Sequence, residues 1–265
     1  MALYDDFETD ISFKYLEKIV KNLESPLCIL GGWAVYFTVN EHFEKEWGRK
    51  YIGSKDIDLG FYIEKDLERD KLINTEFGRS ITRLKELGFQ PLGFRFFKDI
   101  KRETGEDLTL EQSRKTLLYN IFQIYVDPIV NNIHPSFKEI FGFKPIDEPL
   151  LSLVFQDEKN RTEIEEFNKL LWLPKPAILL ATKINALPTR TKDEKLIKDI
   201  CDIYALSWYS GEEFNQIKSE ILAILPNFNN LNLRDLQSTE VLKKAGIGLG
   251  INAELIKTVL KGLLE

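Results

Sequence analysis

Asp56-Ile57-Asp58 places two carboxylates two residues apart within Asp56 to Ile63, a run of strand character. On a strand, side chains at i and i+2 leave the same face about 6.6–6.8 Å apart along the chain. Carboxylates so placed repel each other unless a cation lies between them. Oxygen donors at that spacing suit Mg2+ or Mn2+, ions that hold substrate phosphates. The same pair also fits the solvated face of an exposed strand. Two other features bear on the choice. Gly31-Gly32 follows the apolar run Leu27 to Leu30 and precedes Trp33-Ala34-Val35. Glycines at a strand-to-helix turn let backbone approach a phosphate, and the unpaired N–H groups of a helix start favour an anion. Asp127 stands inside Ile124-Tyr125-Val126-Asp127-Pro128-Ile129. A carboxylate in such an apolar strand needs a partner.

These residues need elements to hold them. Apolar spacing predicts a helix over Ile11 to Leu23 capped by Asp10, a strand over Leu27 to Leu30, and a helix over Trp33 to Phe43. After a charged loop and the Asp56 strand, a helix is expected over Leu67 to Leu87 with Gly88 just past its end. Phe89 to Phe97 and Leu117 to Val130 read as strands, with the polar stretch Lys98 to Arg114 as a loop between them. Leu150 to Phe155 and Thr162 to Leu171 are candidates to extend the sheet. Beyond Pro174 and Pro176 the pattern is helical: Pro176 to Leu187, Asp193 to Tyr209, Glu212 to Leu225, and Thr239 to the end. The expected fold class is α/β (α+β): a mixed sheet with helices over residues 1–173, then an all-helical domain over 174–265.

The 265 residues are 43% hydrophobic and 29% charged, with mean hydropathy −0.22, enough apolar surface for a core and too much for disorder. A net charge of −6 argues against a broad nucleic-acid-coating surface. Cys28 and Cys201 are too few for a disulfide framework and read as buried thiols. His42 and His134 lack metal or triad spacing. The acidic N-terminal stretch does not resemble a signal peptide, and Pro26 to Phe37 is too short to cross a bilayer. A soluble, cytoplasmic protein is expected.

Taken together, Leu30-Gly31-Gly32-Trp33-Ala34-Val35, Ser54-Lys55-Asp56-Ile57-Asp58-Leu59 and Asp127 resemble the pattern of the nucleotidyltransferase superfamily, the fold shared by DNA polymerase β, CCA-adding enzymes and aminoglycoside nucleotidyltransferases. A second match lies in the helical half. Leu179-Leu180-Ala181-Thr182-Lys183-Ile184-Asn185-Ala186-Leu187, then Arg190, then Lys198-Asp199-Ile200-Cys201-Asp202, is similar to the C-terminal motifs of AbiEii/AbiGii-type nucleotidyltransferase toxins. The resemblance covers roughly Leu27 to Leu206.

The resemblance implies roles. Asp56, Asp58 and Asp127 would be catalytic and hold Mg2+ or Mn2+, with Asp127 also taking a proton from the attacking hydroxyl. Gly31, Gly32 and the Ser54 hydroxyl would cradle phosphates of the NTP, and Lys183 would neutralise the triphosphate. Lys198, Asp199 and Asp202 join the nucleotide-binding set, the two aspartates either orienting the lysines or contacting the base. The implied activity is transfer of a nucleoside monophosphate from an NTP to an acceptor hydroxyl on RNA, such as a tRNA 3′ end, or on a protein. A toxin paired with an antitoxin is the implied setting, with no membrane involvement. A small-molecule acceptor such as an aminoglycoside, or a catalytically silent binding protein, are the rivals. Gly246-Ile247-Gly248-Leu249-Gly250 follows no strand and has the wrong spacing for a dinucleotide loop, so it reads as a turn between helices. Trp33 reads as core, and Lys98 to Arg102 and Lys243-Lys244 as solvated surface.

Overall fold

A computed structural model describes residues 3–191, 193–226 and 239–264. Met1 and Ala2 of the acidic N-terminal stretch, and Glu265 of the expected final helix, lie outside them. The chain divides into two compact units, and the division is not linear: one unit contains 6–31 and 54–173, the other 1–5, 32–53 and 174–265. One boundary of this division falls at 173/174, and the helix after Gly31 clusters with the C-terminal helices rather than with the sheet.

The first unit is built on an eight-stranded mixed sheet with the order β3-β4-β5-β2-β1-β8-β7, and with β6 beside β5. Its strands are β1 (Leu27–Leu30), β2 (Asp56–Phe61), β3 (Gln90–Leu92), β4 (Arg95–Lys101), β5 (Ile121–Val130), β6 (Ile146–Asp147), β7 (Arg161–Glu166) and β8 (Lys169–Pro174). β1 is apolar at every position and wholly buried, as expected of a strand paired on both sides. It runs antiparallel to β2, which pairs in parallel with β5. Helix α1 (Asp6–Asn22) packs on β2 and β5. It starts four residues before the expected Asp10 cap, because Phe7 and the buried Glu8 extend its inner stripe.

Several expected elements differ. The single helix over 67–87 is a 3-10 turn at Arg69–Asn74 followed by α3 (Glu76–Glu86). Thr75 restarts the helix by accepting a hydrogen bond from Gly78 N at 3.1 Å. The strand over Phe89 to Phe97 is two strands, β3 and β4, folded about Gly93 at φ 63°. β4 carries on into the supposed loop, where α4 (Leu110–Lys115) also forms behind a Thr109 capping box. Leu150 to Phe155 is not a strand but belongs to α6 (Leu151–Gln156), whose buried residues Leu151 and Val154 are three apart. A short α5 (Phe137–Phe141) was not anticipated.

The second unit contains α2 (Gly31–Trp47, from Gly32 onward), α7 (Pro176–Ala186), α8 (Asp193–Tyr209), α9 (Phe214–Ile224), α10 (Thr239–Leu249) and α11 (Ala253–Leu264). Pro176 opens α7 as expected. The glycine-rich segment is not itself the turn: Gly246 and Gly248 lie within α10, and Gly250 at φ 61° ends it. No helix among the described residues is long and apolar enough to cross a membrane.

Candidate active site

β2 and β5 bring three of the sequence-derived carboxylates together. Parallel pairing sets Asp58 opposite Asp127 and Asp56 opposite Tyr125. The three aspartates therefore share one sheet face, while Ile57 and Leu59 point the other way and are buried. β1 supplies the fourth element. Leu30 pairs with Asp58, so the next residue, Gly31, lies against the Asp58 carboxylate. Gly31 has φ 57°, and a Cβ placed on it would lie 1.8 Å from Asp58 Oδ2. Glycine is required there twice over, by the backbone conformation and by the contact. Both glycines belong to the first turn of α2 rather than to a turn ahead of it. Gly32 and Trp33 are buried, the latter in the core as expected.

Ser54, just before the Asp56 strand, is buried. Lys55 is held by Glu8 of α1 at 2.7 Å, and the same carboxylate accepts from Arg102 at 2.6 Å. Burial works against the Glu8 charge, but those two cations outweigh it and hold its pKa below the usual range. The segment entering β2 is thus pinned to α1.

Arg95, the first residue of β4, did not figure in the sequence reading. Its Nε donates to Asp127 Oδ1 at 2.8 Å and its Nη2 to Asp127 Oδ2, a two-pronged pair. Nη2 also lies 3.7 Å from Asp56 Oδ2. The guanidinium sits 4.4 Å from the Tyr125 ring centre and 5.1 Å from that of Phe94. Burial opposes the charge on Arg95, but the Asp127 hydrogen bonds and the nearby carboxylates raise its pKa further. Asp127 is only 4% exposed, although Gln123 on the same face of β5 is exposed. One signal pointed to such a partner: a carboxylate in an apolar strand demands one. Naming Arg95 required seeing that Gly93 folds the chain back.

Hard oxygen donors on one sheet face match Mg2+ or Mn2+ chemistry, and such ions take few protein carboxylates alongside phosphate and water. Asp56 and Asp58 fit that description as a pair. Asp127 stands on the same face but is held by Arg95, and among the described residues no group of three or more His, Cys, Asp or Glu side chains is arranged to hold an ion.

The helical unit gathers the other sequence-derived residues into one buried network. Lys183 Nζ of α7 lies 2.9 Å from Asp199 Oδ1 and 2.6 Å from Asp202 Oδ2, both on α8. Lys198 pairs with Asp202 one turn away, Arg190 with Asp199, and Tyr51 Oη donates to Asp202 Oδ1 at 2.8 Å. Burial would lower the Lys183 pKa, but the two carboxylates raise it above normal; burial would raise that of Asp202, but the two lysines lower it. In this arrangement the aspartates orient the lysines. Burial and the Asp202 charge also push the Tyr51 hydroxyl well up, keeping it a neutral donor. His134 is structural: its Nε2 lies 3.0 Å from Leu67 O, and its Nδ1 accepts from Ser136 N at 3.1 Å. Cys28 and Cys201 are buried free thiols. Lys98, expected at the surface, is buried against Asp107 and donates to Leu87 O at 2.8 Å.

Among solved structures the chain is similar to an antigenic nucleotidyltransferase-like protein from Paracoccidioides brasiliensis, at 14% identity and a TM-score of 0.37, over 85% of this chain and 91% of that one. No family model and no curated protein matches the sequence.

Proposed function

We propose that this chain is a nucleotidyltransferase, which moves a nucleoside monophosphate from an NTP to an acceptor hydroxyl and releases pyrophosphate. The observation that carries the reading is the placement of Asp56, Asp58 and Asp127 on one face of paired strands, with Gly31 of the β1–α2 junction packed against Asp58. Asp56 and Asp58 would hold Mg2+ or Mn2+. The ion would offset phosphate charge and polarise the α-phosphorus. Backbone N–H groups of the first turn of α2, with Ser54, would receive phosphate oxygens. Asp127, once released from Arg95, would take the proton of the attacking hydroxyl. Lys183, Lys198, Asp199 and Asp202 are proposed to support NTP binding, the aspartates by holding the lysines charged.

Within this class the resemblance of the two motif sets favours a toxin-type enzyme. Its acceptor would be RNA, such as a tRNA 3′ end, or a protein hydroxyl; an antitoxin would be its partner and the cytoplasm its setting. Incubation with α-32P-labelled NTPs, Mg2+ and total tRNA or cell extract tests both levels. Label in RNA or in a protein band supports the reading and identifies the acceptor; label in a small molecule supports transfer and overturns the toxin assignment. No transfer together with no metal-dependent NTP binding overturns the enzymatic reading. The Arg95–Asp127 pair favours a second reading, a nucleotide-binding protein that does not turn over. Metal-dependent NTP binding without transfer would establish it.

A further inference from the structure

We propose that Arg95 is a built-in counter-cation of Asp127, so that its pairing with Asp127 and the binding of a divalent cation by that residue are mutually exclusive. The inference rests on the reading of Asp56, Asp58 and Asp127 as a metal-binding set. Both Asp127 oxygens are engaged by the same guanidinium, which also approaches Asp56 across the neighbouring strand. One cation thus lies between carboxylates of β2 and β5, and like charge would repel a second cation there.

The surroundings suit a side chain with two positions. Arg95 directly follows the turn of the β3–β4 hairpin, where a Cβ on Gly93 would meet nothing within 4 Å and Phe94 is 46% exposed. Tyr125 and Phe94 provide flat aromatic surfaces near the guanidinium that do not depend on Asp127. Displacement by a metal therefore does not strand an unsupported charge in the core.

The test is Mn2+ titration of the full chain, followed by the electron paramagnetic resonance of free Mn2+, for the parent protein, R95K and R95M. Arg95→Lys keeps the positive charge and loses the fork; Arg95→Met loses both. If the pair holds roughly nine-tenths of molecules, both variants bind Mn2+ about tenfold more tightly. That gain disappears when Asp127→Asn is added. Unchanged or weaker affinity in both variants overturns the proposal, as does a gain in R95M with R95K behaving like the parent, since charge and not pairing would then be at work. Mn2+ bound by the parent and lost in the Asp56→Asn, Asp58→Asn double variant keeps the metal reading intact whichever way Arg95 falls. Mn2+ bound by no variant, or binding indifferent to that double change, removes the metal reading and this inference with it. If R95M does not fold, R95K with and without Asp127→Asn decides.

Discussion

The Asp58 carboxylate fills the space where a side chain on Gly31 would be, with Oδ2 1.8 Å from the position of a Cβ. Two motif residues 27 positions apart in sequence are therefore one contact, made because the last residue of β1, Leu30, is registered on Asp58. A residue larger than glycine at 31 must move the carboxylate or break the β1–α2 junction. The link from sequence to site passes through strand register here rather than through either motif alone.

Gly31→Ala is expected to cost stability and activity together. The left-handed backbone alone costs an alanine about 1–2 kcal/mol, and displacing Asp58 adds to it. Urea unfolding should show a lowered midpoint with little change in slope. A midpoint equal to the parent's would mean that the close Gly31–Asp58 contact does not constrain the protein in solution.

Lys183→Met should destabilise by about 3–5 kcal/mol, the usual effect of removing one partner from a buried ion pair. Asp202 is fully buried and would keep only Lys198 as its charged partner. Adding Asp202→Asn to Lys183→Met should recover part of that loss, and a double-mutant cycle from chemical denaturation reads the coupling. Additive effects would show that the two groups do not pair in solution.

The same network sets an expected pH profile. The Asp202 pKa is lowered by Lys183 and Lys198 against the cost of burial, so its contribution is present above the unfolded value, about 3.9, and is lost as pH falls through the folded value. The Lys183 pKa is raised, so its contribution is present below the unfolded value of about 10.4 and is lost as pH rises through the folded value. Melting temperature should be level between these limits and fall on the acid side. Asp202→Asn should flatten the acid limb, and an unaltered limb would exclude Asp202 as its source.

Much of this arrangement was legible in the residues. Four apolar residues ending in two glycines announce β1 and its junction, and Asp56-Ile57-Asp58 in an apolar run announces β2. The i and i+3 spacing puts Asp199 and Asp202 on one helical face, whereas Lys183 joins them only through the resemblance. Other features lay beyond local pattern. Leu150 to Phe155 has an apolar content that suits strand or helix equally, and only the contacts of Leu151 and Val154 decide for α6. Arg95 was missed because Phe89 to Phe97 looked like one strand, whereas Pro91-Leu92-Gly93 folds it into a hairpin. The grouping of 32–53 with the C-terminal helices is a matter of tertiary packing, which linear composition does not encode.

Whether the aspartate face of β2 and β5 transfers nucleotide is measured by comparing the parent protein with Asp58→Asn in transfer of α-32P-labelled nucleotide in the presence of Mg2+. Asp58 lies on the site face of β2, so the exchange to asparagine should leave the fold intact by circular dichroism and melting. The parent should transfer label, and Asp58→Asn should lose transfer with folding preserved. Equal transfer by the two proteins would contradict this.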